Sequence, residues 1–148
     1  VKQGQVHYGY KSHIKVDVDH HLIRDLAVTP ANVHDSAVDL ATVGDRVMYR
    51  DKGYFGKQVA VPGVVDRTMK RAVRGRRLNG GEQKRNRAIC QVRAPGERPF
   101  SVMKRVFHGE RTGVKTCARV RVKEVFKSLG YNLYQLFTLE RKRVAVAM

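Results

Sequence analysis

Two cysteines and no tryptophan stand in a chain of 148 residues. Cys90 and Cys117 are 27 positions apart, a spacing that signals neither a zinc site nor a disulfide framework, so two reduced thiols are expected. Also missing are a run of 18 apolar residues and a charged-then-apolar leader. Their absence removes the sequence case for a membrane span or for export, and makes the cytoplasm the expected compartment. Acid is scarce as well: 13 Asp and Glu stand against 30 Lys and Arg, for a formal net charge of +17. What is present suffices for one packed domain, with 42% apolar residues, five Phe and six Tyr.

The shortage of acid is uneven. Residues 1–66 hold eight Lys or Arg and eight Asp and are neutral, whereas residues 67–148 hold 22 basic residues and five Glu. A chain neutral in one part and strongly cationic in the other attracts polyanions and orients them. Nucleic acid is therefore the expected partner, with a merely solubilising surface as the plain alternative.

Val6, Tyr8, Tyr10, Ser12, Ile14, Val16 and Val18 alternate with polar or small residues, and this period of two predicts a long half-buried strand. Asp19-His20-His21 makes the turn, and Leu22 to Val28 returns as a second strand that Pro30 stops. Asn32 or Asp35 can cap a helix carrying Val38, Leu40, Ala41 and Val43. Short strands are expected at Val47–Asp51 and near Val61–Asp66. Arg67 to Arg87 holds nine basic residues and one acid, interrupted by Gly75, Gly80 and Gly81, so residues 67–92 are expected as a cationic loop or insertion. Phe100, Met103 and Phe107 follow at helical spacing. A last helix is marked by Phe126, Leu129, Leu133, Leu136 and Phe137 and ends in Arg141-Lys142-Arg143. The fold class expected is α/β, with a sheet of mixed direction.

Two acids stand out. Asp51 leaves the apolar run Val47-Met48-Tyr49 at the head of Asp51-Lys52-Gly53-Tyr54, and Glu97 sits in the spacing Arg93-x3-Glu97-x6-Lys104. Glu97 and Lys104, seven apart, fall within about 20° of each other on one helix. Carboxylates from separate elements are what holds a pair of divalent ions over a phosphodiester, and hard cations take oxygen ligands. Each acid also has an ordinary reading, Asp51 as a turn former and Glu97 as a first-turn acid favoured by the helix dipole.

Several ordered stretches resemble the DDE-type transposases of bacterial insertion sequences, in the group with a Tyr-x2-Arg-x3-Glu-x6-Lys signature. They are Tyr8-Gly9-Tyr10-Lys11-Ser12-His13, Val28-Thr29-Pro30-Ala31-Asn32-Val33-His34-Asp35-Ser36, Asp51-Lys52-Gly53-Tyr54, the set Arg93, Glu97 and Lys104, and Tyr131-Asn132-Leu133-Tyr134-Gln135-Leu136. The resemblance implies a ribonuclease-H-like mixed sheet flanked by helices, with residues 1–66 as the sheet part and 93–148 as the helical part. It implies Asp51 and Glu97 as catalytic carboxylates and ligands of Mg2+ (or Mn2+). It also implies Arg93, Lys104, Arg105 and Lys52 as contacts to DNA, at transposon ends and target, and admits a homodimer. The family's first catalytic Asp belongs to a strand preceding those found here, and Cys90 stands where the signature has Tyr. A partial catalytic domain lacking its first strand, inactive by itself, is the expectation. A non-catalytic basic nucleic-acid-binding protein is the alternative, and a ribonuclease-H-like nuclease outside the transposases is the third reading.

Weaker candidates remain. His20-His21 with His13 or His34 suggests a transition-metal site, although a turn that happens to contain histidines explains them as well. Tyr8 and Tyr10 suit base stacking, but they are in step with Val6 and Ile14 as core residues are.

Overall fold

The computed structural model describes residues 9–109 and 111–146, with side chains up to residue 143. The chain divides into two compact units, one formed by Val1–Val33 with Gly96–Met148 and the other by His34–Pro95. Both units mix short strands with helices.

In the first unit β1 (Tyr10–Val16) and β2 (Ile23–Pro30) form the expected antiparallel hairpin, in one register from Tyr10 opposite Pro30 to Lys15 opposite Asp25, after which the register shifts and Val16 stands opposite Ile23. Val6 and Tyr8 lie outside the described residues. Pro30 is accommodated because it occupies the last position of its strand. Asp17 organises the turn: its backbone N–H donates to the Leu22 carbonyl at 3.0 Å and its carboxylate accepts from the His20 N–H at 2.6 Å. His21 closes the turn in the left-handed region at φ +58°.

Two helices cover this hairpin. In α2 (Arg98–Arg105), Pro99, Val102 and Met103 are buried, whereas Phe100 is exposed. Phe107, expected on the same stripe, lies beyond the helix end. The helix stops where His108 turns left-handed (φ +49°) and the Gly109 N–H returns to the Met103 carbonyl at 2.9 Å. A Cβ at Gly109 would stand 2.9 Å from the Lys127 side chain and 3.0 Å from that carbonyl oxygen, so a larger residue would have to displace Lys127 and crowd the carbonyl.

The long α3 (Cys117–Val146) corrects the expected apolar stripe. Its buried positions are Val120, Glu124, Ser128, Tyr131 and Gln135, while Phe126, Leu129, Leu133, Leu136 and Phe137 are exposed. The hairpin turn explains the choice of face. Main-chain groups at a turn lack ladder partners, and α3 supplies them: Tyr131 Oη donates to the His21 carbonyl at 2.9 Å, and Gln135 Nε2 to the His20 carbonyl at 2.8 Å. Asn132 takes the Ile23 N–H at 2.8 Å and donates to the Ile23 carbonyl at 2.9 Å. Hydrogen bonding turns the polar side of the helix inward. Ile23, Val102, Met103 and Tyr131, with Ile14 and Val16 against them, make the core.

In the second unit β3 (Val47–Arg50) and β4 (Val65–Thr68) pair in parallel, with Val47 opposite Val65 and Arg50 opposite Thr68. Thus β4 begins four residues later than the hydropathy pattern suggests. The helix expected from Asp35 is reduced to one 3-10 turn, Asp35–Ala37, after which Val38 is extended (φ −110°, ψ 117°). Asp39 competes with helix formation, because its carboxylate accepts from the N–H groups of Ala41 and Ala60, both at 2.9 Å.

The stretch expected as a cationic loop contains a helix instead, α1 (Gly80–Arg93). Asn79 and Glu82 form a reciprocal capping box. Gly80 and Gly81, which look like interruptions, occupy its first turn. Ile89 is buried on its inner face. Buried Asn86 takes the Lys70 N–H at 2.8 Å and donates to the Lys70 carbonyl at 2.9 Å, fastening the chain just past β4 as a neighbouring strand would. Asn86→Ala leaves both groups unpaired and is expected to cost about 2 kcal/mol in urea unfolding. A change within roughly 0.5 kcal/mol, the scatter of an ordinary surface substitution, would show that the clamp contributes nothing.

Candidate metal and DNA site

Asp51 follows β3 directly and caps a 3-10 turn at Lys52–Tyr54, its side chain accepting from the Lys52 N–H. The turn-former reading is therefore correct as far as it goes. One such bond leaves most of a carboxylate's acceptor capacity open, and the side chain is 56% exposed. Arg93, the last residue of α1, brings Nη1 to 3.9 Å from Asp51 Oδ1. That is a loose ion pair: the two groups share a place without being locked together.

The position of Asp51 depends on its neighbour. Arg50 is 5% exposed, with Nε donating to Thr68 Oγ1 at 2.9 Å and Nη2 to the Lys57 carbonyl at 2.7 Å and to Asp66 Oδ2 at 2.6 Å. Its Nη1 lies 3.6 Å from Asp39 Oδ2, and the guanidinium sits over the Tyr54 ring. Burial raises the Asp66 carboxyl, but hydrogen bonds from Thr68 and Arg50 outweigh it and hold the group below its ordinary range. Sequence reading missed this arrangement. A basic residue ending the apolar run Val47-Met48-Tyr49 is one faint signal for it, because a charge on a buried strand needs several partners.

Glu97 belongs to the first unit. It ends the 3-10 turn Ala94–Glu97 and stands at the N-terminus of α2, with its carboxylate exposed and making no capping bond. Lys104 and Arg105 lie in the last turn of α2; Arg105 Nη2 donates to Ser101 Oγ at 2.7 Å. Lys52 is exposed in the turn after Asp51. The second unit thus brings Asp51 together with Arg93, and the first carries Glu97 and Lys104 at the two ends of one helix.

As a metal site these donors fit in kind, being exposed carboxylate oxygens of the sort that hard divalent cations select. They are short in number, since among the described residues no group of three or more His, Cys, Asp or Glu is placed to hold an ion. The histidine reading fails on the same ground. His20 and His21 serve the turn through their backbones, and His13 Nε2 lies 2.9 Å from Thr29 Oγ1. Tyr10 Oη accepts from the Thr116 N–H at 2.7 Å, which accounts for it structurally. Among the described residues no helix is long and apolar enough to cross a membrane.

Comparison with known proteins adds what the geometry leaves open. The chain is 28% identical over 141 residues to the transposase for insertion sequence element IS1106 of Neisseria meningitidis serogroup B. The match takes in 89% of this chain and 48% of that relative, so the chain spans about half the relative's length. No solved structure matches it significantly. The family model described as the transposase DDE domain matches residues 1–133, nine-tenths of the chain. On that match, the chain belongs to the DDE transposase domain family.

Proposed function

We propose that this chain is part of the catalytic domain of an insertion-sequence transposase, acting in DNA transposition in the cytoplasm. The observation that carries the reading is the family match over residues 1–133, within which Asp51 and Glu97 are both exposed acids at element ends. The finer fold we propose is ribonuclease-H-like. The family match supports it, and the antiparallel hairpin and the parallel pair supply the two pairing senses such a mixed sheet combines, although among the described residues they form two separate two-stranded sheets.

In this reading Asp51 and Glu97 are the residues that hold Mg2+ (or Mn2+), and a further carboxylate comes from elsewhere. When bound, the metal supplies charge neutralisation at the attacking and leaving oxygens of a phosphodiester. Asp51 presents its remaining acceptor capacity past the end of β3, and Arg93 beside it offsets the carboxylate's charge and reaches toward a phosphate. Lys52, Lys104 and Arg105 contribute point charges to the DNA backbone. The reaction served is hydrolysis at the element's ends followed by attack of the freed 3′-hydroxyl on target DNA. By itself the chain binds DNA without turning it over.

Duplex DNA should therefore bind with an affinity that falls steeply with salt, and Arg93→Ala should lower the slope of log K against log[salt] by about one. Measured by fluorescence anisotropy, a slope near zero for the unaltered chain would remove DNA from the reading. The alternative, a basic nucleic-acid-binding protein without catalysis, predicts the same salt dependence but no consequence of altering either acid.

A further inference from the structure

We propose that the tight turn Val73–Arg76 carries Arg74 into the minor groove of duplex DNA, where it favours A·T runs. The inference rests on the DNA-binding reading above and concerns the second unit alone. Arg71-Ala72-Val73-Arg74-Gly75-Arg76-Arg77 holds four arginines and neither a lysine nor an acid. All seven residues are exposed. Val73 and Arg76 face each other in an antiparallel bridge, with the Arg76 N–H donating to the Val73 carbonyl at 3.0 Å. Gly75 stands at φ +79°, as the third position of a type II turn requires. Arg74 thus shares the tip with a residue that has no side chain, and a Cβ built at Gly75 would meet nothing within 4 Å. Both feet of the turn are fastened to α1. Before it, the Lys70 N–H and carbonyl are held by Asn86 at 2.8 and 2.9 Å. After it, Arg76 Nη2 donates to Glu82 Oε1 at 3.0 Å, and Glu82 closes the capping box with Asn79. Arg76 is thereby a structural cation. Among the described residues the side chains of Arg71, Arg74 and Arg77 make neither an ion pair nor a hydrogen bond.

Shape and hydration point to the minor groove rather than to the phosphates alone. That groove is about 6 Å wide, closed to a helix but open to one extended side chain on a narrow turn. Where A·T runs narrow it further, its negative potential deepens and draws in a cation. Entry strips water from that cation, which a guanidinium tolerates better than an ammonium because it is more weakly hydrated. A stretch that uses arginine four times and lysine never matches this requirement. Pinning the turn beforehand lowers the ordering cost of binding. The 2-amino group of guanine projects into the groove and blocks so deep an approach, which is the source of discrimination. Arg71 and Arg77, before and after the turn, meet the phosphates that border the groove.

The test is an anisotropy titration of the intact chain with three duplexes of equal length, centred on A·T, G·C and inosine·C pairs. Inosine lacks the 2-amino group, so the inosine·C duplex offers a minor groove like A·T and a major groove like G·C. The A·T and inosine·C duplexes should bind about tenfold tighter than G·C, the discrimination of one base-reading contact. Arg74→Ala should abolish that difference while salt-dependent binding to all three persists. Arg71→Ala, at a phosphate position, should weaken all three alike. Arg74→Ala should unfold in urea as the parent does, since the residue is exposed at the turn's tip. Equal affinity for A·T and G·C overturns the inference, as does an inosine·C duplex that binds like G·C. So does a preference that survives Arg74→Ala. In each of these cases DNA binding itself would stand. A chain that binds none of the three duplexes instead removes the DNA reading, and this inference with it.

Discussion

Asp51→Asn and Glu97→Gln are each expected to weaken Mn2+ binding by roughly 100-fold or more, because loss of a ligand should exceed the 10- to 100-fold typical of second-shell changes. Both substitutions keep shape and hydrogen-bonding capacity while removing the charge. Asparagine at 51 can still accept from the Lys52 N–H, so the turn after β3 survives and the effect reads the ion alone. Glu97 makes no capping bond, so its amide leaves the entry into α2 intact. Isothermal titration calorimetry is the measurement. Asp19→Asn, on the exposed hairpin turn, is the control that should change nothing. If both site variants bind as the unaltered chain does, the two acids are only a turn former and a helix-start acid. The basic nucleic-acid-binding reading would then replace the catalytic one.

Arg50→Met should cost about 3 kcal/mol or more, the lower end for breaking a buried ion pair. Three hydrogen bonds and a second carboxylate converge on this guanidinium, and methionine fills the volume without meeting any of them. The two carboxylates left behind are partly exposed, which keeps the cost from being larger. Urea unfolding reads the loss. The same group sets a pH dependence. The Asp66 carboxyl is held below its ordinary value near 3.8, so its contribution is present above that value and is lost as pH falls through the lowered one. Arg50→Met should therefore flatten the acid limb of a stability-against-pH curve. A variant within roughly 0.5 kcal/mol of the parent, the range of ordinary surface substitutions, would mean that Arg50 is incidental to the end of β3. Asp51 would then be positioned by its turn alone.

Most of the signals that were legible are ones where neighbours along the chain decide the structure. The hairpin is one case: alternating side chains and a polar turn specify β1 and β2 without reference to anything distant. Glu97 before a helix with Lys104 in its last turn is another, as is Asp51 at a strand's end. The capping pair Asn79 and Glu82 was equally local, but glycines and the density of positive charge around it obscured the signal. Where side chains met distant backbone, pattern alone gave the wrong answer. Asp39 spends its oxygens on Ala41 and Ala60 and no helix follows Asp35.

The amino-acid sequence by itself determined the charge asymmetry, the pairing of the first two strands, the family, and which acids and bases are candidates for chemistry. Each of these rests on order along the chain. Tertiary structure alone decided that Arg93 stands beside Asp51, that Arg50 is the buried post behind it, and which face of α3 turns inward. Turn carbonyls that lack partners must find them across space, and on α3 this requirement outranked burial of the more apolar side.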